Sequence, residues 1–143
     1  MPAHITLLVP FTDSDVLGAD ETRGAEEVLA RFAPIEVSLS ATAYFQGPPT
    51  VLYLEPEPAG PFREMTEALV RAFPDHPPYG RREATIVPHL TVATRLGRED
   101  LAAIEAEVAA ALPIGARASE AWLMEYAERA WRLHSRFAFR SAA

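Results

Sequence analysis

Two tripeptides of one pattern could do chemistry in this chain: His4-Ile5-Thr6 and His89-Leu90-Thr91. Only four histidines are present, and two of them share this context. Each motif heads an apolar run rich in β-branched residues, HITLLVPF and HLTVAT. In an extended strand, residues two apart point to the same face. Each motif therefore projects one imidazole and one hydroxyl from one side of a sheet. Two such strands face to face would place both imidazoles and both hydroxyls around one small anionic group. Histidine titrates near neutrality, so a pair can hold a neutral base and a charged acid at once. Threonine hydroxyls on stiff β-branched side chains are fixed donors for developing negative charge.

The elements that must position these groups follow from hydrophobic period. Residues 4–11 read as a strand and 12–20 as a polar turn. A helix is predicted over 21–32, with Ala25, Val28, Leu29 and Phe32 on one stripe. Residues 35–45 alternate, with Ile35, Val37, Leu39, Ala41 and Ala43 facing one way. Gly47-Pro48-Pro49 turns the chain into a strand at 50–55. Gly60-Pro61 starts a helix over 61–73, carrying Phe62, Met65, Leu69 and Phe73. A proline-crowded loop, 74–88, leads to the second motif on 87–94. The best helix is 98–112, stopped by Pro113, and two closing strands follow at 117–126 and 130–139.

An internal repeat emerges. Strand with His-x-Thr, helix, strand, strand occurs at 4–55 and again at 87–139, joined by the helix and loop over 61–88. A βαββ unit cannot cover its own sheet, so the copies should pack as two lobes of one domain spanning 1–143. Ile5, Leu7, Val9, Leu90 and Val92 would face the helices. His4, Thr6, His89 and Thr91 then lie on the opposite face, lining a groove between the sheets. The expected class is α+β: two pseudo-symmetric lobes, antiparallel sheets facing a central groove, helices outside.

Composition narrows the function. A chain of 143 residues and net charge −7 lacks the basic face that long nucleic acid requires, though a nucleotide or RNA end needs only local cations. All fixed positive side chains are arginine, since lysine is absent. Without cysteine there is no disulfide, thiolate metal site or thiol nucleophile, which suits a reducing cytoplasm. No run is long enough to span a bilayer, and MPAHITLL does not read as a secretion signal.

On HITLLVPF, VLYLEPEP, the YG…VPHLTVA block and a closing strand beginning AWRLHSRF, the chain resembles the 2H phosphoesterase superfamily, the 2′-5′ RNA ligase-like proteins and cyclic phosphodiesterases. Both signature motifs are intact. The resemblance implies an α+β fold of two lobes around an open groove. It also implies a phosphodiesterase that needs neither metal nor cofactor and works on 2′,3′-cyclic phosphate or 2′-5′ phosphodiester bonds of nucleotides or RNA ends. His4, Thr6, His89 and Thr91 would be catalytic, with His89 as the base for hydrolysis and His4 as the acid. A cytoplasmic monomer in RNA processing, with no membrane partner and no long-duplex binding, is the expected setting. The chain departs from relatives at Ala3, where proline is common before the first histidine. It departs again at Arg95, which follows Thr94 where a basic residue often comes sooner.

Other residues carry weaker signals. Phe45, Tyr53 and Tyr79 lie near strand ends or before the second motif, where rings can stack on bases or simply pack. Trp122 and Trp131 read as core. On 130–139 the apolar set Trp131, Leu133, Phe137 and Phe139 alternates with Arg132, His134 and Arg136. With the apolar set against the helices, Arg132 and His134 meet either substrate phosphate in the groove or open solvent. His76, in DHPPYG, reads as a solvated loop residue. A non-catalytic nucleotide- or RNA-end-binding module retaining the fold is the alternative reading, and a domain with no site a third.

Overall fold

In chain order the elements are α1 (Ala19–Leu29), β1 (Ile35–Phe45), β2 (Val51–Glu57), α2 (Gly60–Ala72), β3 (Leu90–Thr94), α3 (Arg98–Ala109), β4 (Ile114–Ala118), β5 (Glu120–Ala127) and β6 (Ala130–Ala138). The structure is a computed structural model that describes residues 2–13, 17–76 and 85–140. Helices and antiparallel strands make the expected α+β chain. Both predicted helices beside the motifs end earlier than their stripes suggest. Arg31 and Phe32 donate to Val28 and Leu29, and Ala111 and Leu112 to Val108 and Ala109, so each last turn tightens to the three-residue kind.

The repeat is visible in element spacing. Three later elements begin 79 residues after their counterparts: α1 and α3 at 19 and 98, β1 and β4 at 35 and 114, β2 and β6 at 51 and 130. Each helix also starts from a glycine, Gly18 and Gly97. The two halves interlock. One sheet has the order β3-β2-β1-β4, so the second motif strand adds to the first hairpin. Within it Val37 of β1 pairs with Ala116 of β4. These residues occupy equivalent positions in the two copies, so a local twofold passes between them. β5 and β6 form a second, two-stranded sheet.

Ala25, Val28 and Leu29 of α1 and Phe62, Met65 and Leu69 of α2 meet Ile35, Val37, Phe137 and Phe139 in the main core. α3 covers β1 and β3. There Leu52, Leu54 and Leu101 are buried, and Thr42 donates to the Glu105 carboxylate at 2.8 Å.

Three register shifts correct the strand faces read from alternation. In β1, Leu39 pairs with Pro56 and Ala41 with Glu55, leaving Ser40 as an extra residue. The bulge puts Ala41, Ala43 and Phe45 on the face opposite Leu39, not beside it. In β3 the extra residue is Val92. In β6 it is His134, between Ser135 paired with Leu123 and Leu133 paired with Met124. Trp131 and Leu133 therefore share a face with Trp122 and Arg136 instead of with Phe137. Trp122 and Trp131, expected in the core, are 36% and 49% exposed.

The first motif differs most. Instead of a strand over 4–11 there is one antiparallel bridge, Ile5 to Leu90. The Leu7 carbonyl is taken by the buried Thr66 hydroxyl at 2.6 Å, and Pro10 has no N–H to offer a ladder. The segment is thus pinned to α2 by a side chain. The predicted strand at 117–126 begins earlier, at Ile114, and is divided at Ser119.

These local features set two expectations for stability. Thr66→Val should strand the Leu7 carbonyl and cost about 1–2 kcal/mol in denaturant unfolding, with faster amide exchange confined first to residues 5–9. The β5–β6 turn forces Glu128 and Arg129 to φ 51° and 65°, a two-residue turn that favours Asn-Gly. Glu128→Asn with Arg129→Gly should raise stability by about 1 kcal/mol, read as a higher denaturation midpoint at unchanged slope.

Candidate active site

The bridge between Ile5 and Leu90 organises the site. Both are the middle residue of a motif, so a local twofold passes between them, as it does between Val37 and Ala116. In an antiparallel pairing the flanking residues oppose crosswise. His4 comes beside Thr91, and Thr6 beside His89, with Cβ atoms of such opposed pairs about 4.5–5.5 Å apart. Ile5 packs on the core, so by alternation the four motif side chains share the other face.

Each imidazole is held in the same way. His4 Nδ1–H donates to the Pro2 carbonyl at 2.8 Å, and His89 Nδ1–H donates to the Val87 carbonyl at 2.7 Å. A carbonyl only accepts, so the proton sits on Nδ1 in both rings, and Nε2 is left to meet a ligand. The orienting group is in each case the backbone two residues upstream. No side-chain signal announces it, and sequence reasoning did not find it. Among the described residues neither the Thr6 nor the Thr91 hydroxyl is taken by a protein partner.

The surroundings of the two histidines differ. Phe45 stacks on Tyr53 with centroids 4.1 Å apart. The His89 ring sits edge-on to both, at 4.8 Å from Phe45 and 5.5 Å from Tyr53. The Ser40 bulge brings Phe45 to this face, and Tyr53 arrives by pairing with Thr91. Tyr53 is buried, at 7% exposure. Burial, and then the Glu55 carboxylate, push its phenol above the usual tyrosine value, so it is a neutral wall at neutral pH. Its ring surface is committed to Phe45 and His89.

A cavity of about 930 Å³ opens beside the motifs, lined by His4, Thr6 and Thr91 together with Trp122, Met124, Tyr126 and Trp131. Arg132 and His134 are not brought to it. Arg132 opposes Glu125, points away from Trp131 and is ion-paired with Glu128. His134, the bulge residue, is exposed and bonds through Nδ1 with the Ser135 hydroxyl at 2.7 Å. Tyr79 lies outside the described residues. His76 is more packed than a solvated loop residue, its ring 5.4 Å from that of Phe11.

Among the described residues no helix is long and apolar enough to cross a membrane. Comparison with known proteins agrees with the motifs. A protein of Bacillus pumilus (strain SAFR-032) named "Putative phosphoesterase" is 29% identical over 100 residues, covering 70% of this chain and 56% of that protein. The match thus spans little more than half of the relative's length. The crystal structure of TT0787 of Thermus thermophilus superposes with a TM-score of 0.64 at 19% identity, covering 99% of this chain and 80% of that one, which shows a shared fold. Residues 1–130 match the 2′-5′ RNA ligase superfamily. The chain is thereby a member of that superfamily, the 2H phosphoesterases.

Proposed function

We propose that the protein is a metal-independent phosphodiesterase acting on 2′,3′-cyclic phosphate or 2′-5′ phosphodiester bonds of nucleotides or RNA ends. The observation that carries this reading is the matched pair of Nδ1 bonds, one in each motif, on either side of a single bridge. A pure binder has no need of two imidazoles held in the same tautomer. Acid–base chemistry at phosphorus needs two, one on each side of the phosphate.

In hydrolysis the Nε2 of His89 takes a proton from water as the water oxygen attacks phosphorus. The bond from phosphorus to one ribose oxygen breaks, and Nε2–H of His4 gives that oxygen its proton. A phosphomonoester and a free hydroxyl result, and both imidazoles return to their starting states once the proton passes back through solvent. Thr6 and Thr91 donate to the non-bridging oxygens, where charge accumulates. In the ligation direction the roles exchange. The proposed setting is a cytoplasmic monomer in RNA processing, with neither a membrane nor a long duplex as partner.

Phe45 and Tyr53 act in this scheme through His89, as the seat of its ring. That assigns them a different duty from direct stacking on a base.

The direct test is turnover of 2′,3′-cyclic nucleotides in EDTA. His4→Ala and His89→Ala should each lower kcat by about 10²–10⁴-fold, with far-ultraviolet circular dichroism unchanged. Near-wild-type rates in either variant would sink the two-histidine mechanism. Binding of cyclic nucleotide by the wild-type protein without turnover would favour a non-catalytic module. For the ring seat, Phe45→Ala should lower kcat about tenfold, a barrier increase of about 1.4 kcal/mol, with KM little changed. A rise in KM at constant kcat would instead make Phe45 a base contact.

A further inference from the structure

We propose that Arg63 and Thr66 of α2 are positioning residues for the reaction: one face of the helix braces the two segments that carry Thr6 and His89, and so sets how far apart those groups stand. The inference rests on the phosphodiesterase reading of the motifs and concerns how that site is held.

The bridge between Ile5 and Leu90 is a single point of contact. Beyond it, residues 6–9 run beside residues 86–89, because in an antiparallel pairing one chain leaves as the other arrives. This end of the bridge carries Thr6 and His89. β3 joins β2 only from Leu90 onward, so among the described residues no strand ladder holds 86–89. Pro10 and Pro88 have no N–H to offer one. Two segments joined at one bridge can splay unless something spans them.

α2 spans them. The Thr66 hydroxyl donates to the Leu7 carbonyl at 2.6 Å, and Arg63 Nε–H donates to the Ile86 carbonyl at 3.4 Å. The two donors are three residues apart, so they share a face of the helix and sit about 4.5 Å from each other along its axis. Each acceptor lies close to a motif. Leu7 follows Thr6 directly. Ile86 precedes Val87, whose carbonyl accepts from the His89 ring at 2.7 Å. Leu7, Ile86 and Val87 line one small cleft with Phe62 and Thr66, so the helix and both segments meet there.

The residue type at 66 points to the bond rather than to packing. Thr66 is buried, and its companions on the buried stripe, Phe62, Met65 and Leu69, are apolar. Valine would fill the same space with no hydroxyl to desolvate. A threonine inside a helix can satisfy itself on the carbonyl four residues before it, but this hydroxyl leaves the helix for Leu7. Phe62, Met65 and Leu69 meanwhile set α2 in the main core. Through the brace, the Thr6–His89 end of the bridge takes its spacing from the best-packed part of the molecule. A displacement of about 1 Å at a reacting centre can cost about 10²-fold in rate, so that spacing bears on catalysis.

The test combines hydrolysis of a 2′,3′-cyclic mononucleotide with the ring-nitrogen NMR signals of the histidines. Arg63 is exposed, and Arg63→Met keeps its apolar stem while removing the donor. That variant should lower kcat about tenfold or more, with KM and the denaturation midpoint little changed. Thr66→Val, assayed well below its unfolding temperature, should lower kcat by a similar factor, and Thr66→Ser, which keeps the hydroxyl, should restore it. Combining Arg63→Met with Thr66→Val should cost less than the product of the two losses, since a brace released at one end no longer restrains the other. Arg63→Met should also shift the His89 ring from a single Nδ1–H tautomer towards a mixture and leave the His4 ring as in wild type. Near-wild-type kcat in either Arg63→Met or Thr66→Val overturns the brace. So does a rise in KM at constant kcat in Arg63→Met, which would make Arg63 a substrate contact. Should wild type not turn over the nucleotide, the phosphodiesterase reading fails on its own. The ring signals then decide: a shifted His89 tautomer in Arg63→Met supports the brace, and an unchanged one refutes it.

Discussion

A single antiparallel contact, Ile5 against Leu90, governs the geometry of this protein. The two residues are equivalents in an internal repeat, and equivalent residues can face each other in an antiparallel ladder only across a local twofold. The same condition is met by Val37 and Ala116. Once both hold, the two halves are no longer free to slide. A slip of one residue would turn one motif's imidazole and hydroxyl to the helix side while leaving the other in place, because side chains alternate with period two. The common face of the two motifs is therefore a consequence of register. Register in turn is enforced by the apolar residues between them, Ile5 and Leu90, which must stay on the core side. That is why each histidine and threonine is separated by one large aliphatic residue.

The pinning of the first motif is less secure than that of the second. β3 is held along its length by β2, whereas residues 5–9 depend on one bridge, on apolar contacts of Ile5, Leu7 and Leu8 with the core, and on the Thr66 hydroxyl. The buried hydroxyl of α2 supplies the tie in place of a ladder, which makes a helix outside the repeat a support for the repeat's chemistry.

The motifs, all three helices and the start of the hairpin strands were legible because they depend on local period: a 3.6-residue stripe for α1, α2 and α3, alternation for β1 and β6. What was not legible was which face each strand end presents. Extrapolated alternation put Ala41 and Ala43 beside Leu39 and Trp131 with Phe137. One extra residue in each strand, Ser40 and His134, reverses both. A bulge is a property of a pair of strands and their count of residues, not of the bulged residue's type, so no single-strand pattern discloses it. The backbone carbonyls that orient the histidines were hidden for a related reason: every residue has one.

The bulges also bear on how two equivalent histidines acquire different surroundings. Their Nδ1 partners are the same, so the bond that fixes the tautomer cannot distinguish them. The difference must come from what lies beyond. His89 abuts two aromatic rings, one of them buried and neutral, which restrict its ring and shield it from water. His4 is exposed and opens on the large cavity. In the proposed hydrolysis, a base that aims a lone pair at one water gains from restriction, while an acid that follows a departing oxygen gains from room. The symmetric bridge thus supplies two interchangeable imidazoles. The bulge at Ser40, by turning Phe45 onto one of them, breaks that symmetry around His89.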